Sequence, residues 1–401
     1  MGLLDPLAAL IVAFCFLGVM IYKRVNLGIT LNVAALLLAF LALDLPQIGQ
    51  VVYDTTTNPL AVSLVVASFG IMLLSLLYRE TKLIDSLSES LSRLISNSKL
   101  IVSLLPAVIG LLPVAGGALM SAPLVETETE KLGLNEDKKT YVNLWFRHTI
   151  FPIYPVSQLL ILTAVLAGVA LTSIIQRQLP VVITMIAIGY FIGLRKTSKT
   201  KETSFKANRS SELKRFVVTF SPILATIISF IVFGIDISIA TFIGVAVLLL
   251  IAKPNFASVT KSLRNQTMWG IVLAAYGAFL LRNVIEASSI SEVFRAFLVD
   301  GSVHVLALLT LLPAILSILT GSAVGGIALT LSILTGIVDF NPTNVSLLYI
   351  SGYLGYVGAP THLCLVFTAD YFKCPLRKLY KYLVPSLIVS FAAGMFVYFL
   401  V

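Results

Sequence analysis

Apolar runs of about 17 to 22 residues recur along the whole of this 401-residue chain, and only 12% of its residues are charged. Wound as a helix at about 1.5 Å per residue, such a run matches the roughly 30 Å hydrocarbon core of a bilayer. The expected fold is an all-α polytopic membrane protein with about ten TM helices, near 5–22, 28–44, 59–78, 139–172, 178–195, 214–234, 236–252, 266–284, 344–372 and 381–400. Two of these, 139–172 and 344–372, are broken by Pro and Gly. Two further apolar segments, near 100–126 and 302–335, are interrupted centrally by Gly, Ser and Pro. The first run, Leu7 to Tyr22, follows Asp5, lacks a basic leader and has no small-residue cleavage site, so it is read as a retained span. Cys15, Cys364 and Cys374 form no CxxC pair or even framework.

The net charge of +9 is a statement about orientation rather than about nucleic acid. With the N-terminus outside, the loops at 23–24, 79–99, 131–139, 195–215, 253–264 and 373–381 become cytoplasmic and hold 24 of the 28 Lys and Arg. Arg177, Arg282 and Arg295 then fall outside and Arg147 lies within a span. That asymmetry is kept only if 100–126 and 302–335 enter and leave on the same side, as re-entrant hairpins. The expectation is a multi-pass cell-membrane protein with both termini extracellular. The basic Ser/Thr-rich stretch at 196–213 reads as a cytoplasmic linker between halves 1–195 and 214–401, and Thr81 to Asn97 and Ile290 to Val299 read as amphipathic surface helices.

The halves resemble each other. Gly70 and Gly277, in "ASFGIMLL" and "AAYGAFLL", stand 207 residues apart, as do Pro106 and Pro313 in "LLPAVIG" and "LLPAILS". Gly-Gly pairs follow each, at Gly116-Gly117 and Gly325-Gly326, and Pro155 lies opposite Pro360. Each half then holds five spans, one hairpin and one broken helix. Five is odd, so the repeats must be inverted, the plan of secondary transporters whose discontinuous helices meet near the midplane.

These segments resemble a known group. "LLPVAGGALMSAP" and "LTGSAVGGIALTLSILTG" are similar to the paired hairpin tips of the ion transporter superfamily, and "GYLGYVGAPTHLCLVFTADYF" to its second broken helix. That superfamily includes gluconate-permease-like, citrate-type and dicarboxylate carriers, and the pattern is nearest a ten-span archaeal and bacterial integral membrane branch. The resemblance implies an elevator-type carrier, often a homodimer, with Gly116, Gly117 and Ser121 at the first tip and Thr320, Gly321, Ser322 and Gly325 at the second. Sodium-coupled dicarboxylate members carry Ser-Asn-Thr at their tips. Neither tip here does, so that substrate and that coupling do not carry over.

Hairpin ends place unpaired backbone groups at membrane depth, where lipid cannot satisfy them. Helix N-termini offer N–H groups to an anion, and carbonyl-rich ends suit Na⁺. Arg147, next to His148 and about nine residues past the Lys138-Lys139 pair, lies roughly 13 Å deep, where a charged side chain must be paired or face water. Its fork suits a carboxylate, and equally the carbonyls of a helix end. Thr361 and His362 follow the Gly-rich interruption of the second broken span; His362 suits proton coupling or substrate contact, or a neutral role bonded to backbone. His304 opens the second hairpin. His148, His304 and His362 show no metal-ligand spacing, and no GxSxG or Walker A sequence is present, so neither an enzyme nor a cofactor is expected. The sequence points to a secondary transporter of a small organic anion, a carboxylate for preference, coupled to H⁺ or Na⁺. A lipid-linked anion carrier and a membrane enzyme or assembly scaffold are the alternatives.

Overall fold

The computed structural model describes residues 3–112, 117–195, 197, 209–288 and 304–400. Among them every regular element is helical, and the chain is an all-α polytopic membrane protein. The first half runs α1 Pro6–Tyr22, α2 Leu27–Ala42, α3 Leu45–Thr57, α4 Pro59–Glu80, α5 Leu83–Leu94, α6 Ser98–Gly110, α7 Ala118–Lys131, α8 Glu136–Thr149, α9 Gln158–Ala167 and α10 Leu171–Gly189. The second runs α11 Arg209–Ile231, α12 Ile237–Ala252, α13 Phe256–Leu263, α14 Gln266–Ala287, α15 Val305–Thr320, α16 Ala323–Leu334, α17 Pro342–Gly358, α18 Leu363–Tyr371 and α19 Leu376–Leu400. Element for element, the described helices follow one order twice, and the Ile290 to Val299 segment that would partner α5 lies outside the described residues.

The hairpin arms are shorter than the longest apolar helices, and α1, α2 and α12, at 17, 16 and 16 residues, are close in length to the arm α15. Six stretches are long and apolar enough to cross a bilayer, among them α4, α11, α14 and α19. The arms α6, α7, α15 and α16 have 13, 14, 16 and 12 residues. At 1.5 Å per residue they reach about 18 to 24 Å, short of the roughly 30 Å hydrocarbon core. Outer helices present apolar side chains such as Ile11, Val217, Ile228, Ile388 and Phe396 to their surroundings. The polar residues instead turn inward, as expected where lipid rather than water is the solvent.

Packing is reciprocal between the halves. Helix α1 lies on α2 as α11 lies on α12; α2 runs against α14 as α12 runs against α4. The repeat-matched glycines sit at those seams. A Cβ on Gly70 would stand 2.9 Å from Thr241 Cβ, and one on Gly277 would stand 3.0 Å from Leu31 Cβ, so each glycine lets its helix approach the neighbour's backbone. The hairpins dock likewise: α7 touches α18 and α16 touches α9.

Two details differ from the hydropathy reading. A helix, α3, fills the expected loop at 45–57; a capping box between Asp44 and Gln47 starts it, a polar signal that counting apolar runs passes over. Helix α10 starts at Leu171 with Pro180 inside it, so Arg177 belongs to a helix and bonds Thr343 Oγ1 at 3.4 Å. Arg282 sits in α14, inside the expected span 266–284, over the Phe279 ring at 5.6 Å. Arg295 lies outside the described residues.

Candidate functional site

The first break lies where two prolines remove N–H donors. Helix α8 ends at Thr149, a 3₁₀ turn covers Phe151–Ile153, and α9 restarts at Gln158 behind Ser157, whose Oγ accepts from Leu160 N at 3.5 Å. Every α8 residue from Lys139 to Thr149 is buried. Arg147 and His148 occupy its last turn, where free carbonyls favour positive charge. Two first-hairpin glycines make room for Arg147. A Cβ on Gly110 would lie 3.2 Å from its Cγ, and one on Gly117 would lie 2.9 Å from its Cζ.

The second break is built differently. Helix α17 ends at Gly358, and α18 restarts at Leu363 with His362 at the N-cap position, making no capping bond through its side chain. Two tyrosines satisfy carbonyls that the breaks release: Tyr380 Oη donates to Gly358 O at 2.9 Å, and Tyr353 Oη donates to His148 O at 2.7 Å. The second hairpin turns at Gly321, with φ of 61°, and Ser322 caps α16 by accepting from Gly325 N at 3.1 Å. Thr361 closes against that turn, donating to Ile318 O at 3.3 Å.

Between these breaks lies a cavity of about 270 Å³, lined among others by Arg147, His148, Gln158, Ser322, Tyr356 and Cys364. Two of its lining residues carry unsatisfied donors. Arg147 Nη1 and Gln158 Nε2 are buried with no hydrogen-bond partner, and no carboxylate pairs with Arg147 among the described residues. A buried cation without a counter-charge costs several kcal/mol, roughly, unless an anion or water reaches it. The first turns of α9, α16 and α18 also border this space, and their N–H groups carry partial positive charge.

A family model described as Protein of unknown function (DUF401) matches residues 6–401. The chain belongs to this family. No curated protein matches its sequence.

In this DUF401 protein the residues singled out from sequence separate into three groups. Arg147, His148, Gly321 and Ser322 line the cavity. Gly117, Thr361 and His362 support it from behind: Gly117 against the Arg147 guanidinium, Thr361 against Gly321, and His362 edge-to-face on His148 with ring centroids 4.8 Å apart. The others do not reach it. Ser121 Oγ donates to Asn143 Oδ1 at 2.7 Å, which fastens α7 to α8; Thr320 Oγ1 bonds Leu316 O at 2.7 Å; and a Cβ on Gly325 would face Leu27 Cδ2 at 3.1 Å. Gly116 lies outside the described residues. His304 caps α15, its Nδ1 accepting from Leu306 N at 3.2 Å, apart from the other two histidines.

Sequence reasoning missed Gln158, Cys364, Tyr353 and Tyr356. A polar pair, Ser157-Gln158, directly after the proline break is a readable signal for the first. The His-x-Cys spacing of His362 and Cys364 is one for the second. The tyrosines have no such signal, because aromatic residues are common in membrane helices.

Proposed function

We propose that this DUF401 protein is a secondary carrier of a small organic anion, a carboxylate for preference, belonging to the ion transporter superfamily. The observation that carries the reading is the pair of buried, unpartnered donors, Arg147 Nη1 and Gln158 Nε2, on two residues that line one cavity between the two broken helices. An Arg fork binds a carboxylate with two parallel charge-assisted bonds. The Gln amide and the N–H groups of α18 add neutral donors that need no counter-charge. The reciprocal packing of the halves supports an inverted repeat, with the hairpins entering from opposite faces and both termini outside. Cycling of the hairpins and broken helices against the remaining spans exposes the anion to each face in turn. An H⁺ or Na⁺ gradient drives the cycle.

Uptake into proteoliposomes of labelled carboxylates, phosphates and sugar acids, under imposed Na⁺ or pH gradients, tests the reading. Gradient-dependent accumulation of at least one organic anion is expected. No movement of any solute under either gradient would overturn it.

A further inference from the structure

Beside Arg147, at the wall of the same cavity and just behind it, lies a second set of groups, and these suit a cation rather than an anion. His148, His362 and Cys364 are all buried, and one ligand atom from each lies within 4.8 Å of the other two. They come from the two breaks: His148 from the last turn of α8, His362 from the N-cap of α18 and Cys364 from its first turn. Both imidazoles are oriented from behind by backbone. His148 Nδ1 meets Leu144 O at 2.7 Å and His362 Nδ1 meets Val357 O at 3.4 Å. A carbonyl acceptor at Nδ1 keeps the proton there and leaves Nε2 as a lone pair, the arrangement in which histidine binds metals. His362 Nε2 is fully buried and has no hydrogen-bond partner.

We propose that His148, His362 and Cys364 form a binding site for a late first-row transition-metal ion, with Zn²⁺ as the reference ion, whose fourth position opens into the cavity. Ligand chemistry sets the class of ion: two imidazoles and a thiolate suit Zn²⁺ or Cu⁺, whereas Ca²⁺ and Mg²⁺ require oxygen. With metal–nitrogen distances of about 2.0 Å and metal–sulfur of about 2.3 Å, tetrahedral ligand atoms stand roughly 3.3 to 3.7 Å apart, so the widest pair closes by about 1 Å on binding. Three protein ligands leave one position free. His148 and Cys364 line the cavity, so that position faces the space beside Arg147.

Charge balance links this site to the anion. Binding Zn²⁺ releases the Cys364 thiol proton to solvent, so the site gains one net positive charge next to the Arg147 cation. An anion at the open position offsets part of that charge, and each ligand therefore tightens the other. The site itself rests on the histidine and cysteine geometry and not on the transport reading. The test is accordingly made without solute or gradient.

The experiment uses the full chain, purified in detergent, stripped with chelator and titrated with Co²⁺. A thiolate-to-cobalt charge-transfer band that saturates at one equivalent and is displaced by Zn²⁺ is expected. It should persist in the Cys15→Ser, Cys374→Ser double variant and vanish in Cys364→Ser. In the double variant, Zn²⁺ should also slow alkylation of Cys364 at least tenfold, a readout that does not depend on the fold of the Cys364→Ser chain. No cobalt band in the wild-type chain, a band unchanged in Cys364→Ser, or alkylation indifferent to Zn²⁺ would each overturn the site. Anion uptake, measured separately in proteoliposomes, bears on the transport reading alone.

Discussion

The two broken helices share a backbone plan and divide the chemistry between them. At the α8–α9 break the chain places a cation in the last helical turn and an amide at the restart, Arg147 and Gln158. At the α17–α18 break the residues preceding the interruption are Gly and Tyr, and the restart carries His362 and Cys364. The like order of helices in the two halves therefore frames an asymmetric set of groups, with the buried charge supplied by the first half, the hairpin cap and Cys364 by the second, and one imidazole by each. Symmetry of packing does not require symmetry of function, because residues at the breaks contact the cavity while those at the seams contact each other.

Arg147→Gln is the most direct way to break that division. The loss of its charge-assisted bonds, about 1.5 to 3 kcal/mol, should weaken carboxylate binding roughly 10- to 150-fold. Binding of a neutral analogue in the same equilibrium assay should hardly change, and an equal loss for both would remove Arg147 from the charge-pairing role. Next come the hairpin glycines. In Gly326→Ala the new Cβ would meet Ser317 Cα at 2.5 Å, so overpacking should lower stability by about 1 to 3 kcal/mol, read as a fall in melting temperature in detergent. In Gly117→Ala the atoms nearest the Cβ are the far end of Arg147, a flexible side chain, so affinity should fall while the melting temperature stays near wild type. Equal destabilisation by both substitutions would erase the contrast between the tips.

Ser121→Ala sharpens the contrast further. It deprives buried Asn143 Oδ1 of its donor and should cost about 1 to 2 kcal/mol of stability, with anion affinity kept once the chain is folded. A selective loss of affinity would place Ser121 at the anion after all. The smallest effect is expected from Gln158→Met, a shape-conserving loss of one neutral donor. It should weaken binding by about 0.5 to 1.5 kcal/mol, roughly two- to tenfold in the same assay, and an effect as large as that of Arg147→Gln would shift the centre of the site towards α9.

The spans are legible in the sequence because a bilayer requires long apolar helices, and the breaks because Pro152, Pro155, Gly358 and Pro360 interrupt them. Arg147 is legible because charge at that depth demands a reason. Helix α3 and the start of α10 escape a hydropathy profile, which weighs side chains and is blind to caps and to prolines tolerated inside a helix.

The side chains that meet in the cavity are a different matter. Ser121 and Ser322 look alike as hairpin hydroxyls, yet one fastens α7 to α8 and the other borders the cavity. Cys364 carries a local cue in His362, two residues before it, but nothing in the sequence pairs either with His148, which lies more than two hundred residues earlier and is brought beside them by the fold. Sequence alone determined where the chain must cross lipid, where it must break and where charge is buried, because those depend on local polarity and backbone geometry. Only the tertiary structure decided which face of each broken helix turns to the cavity, because that depends on how distant helices dock.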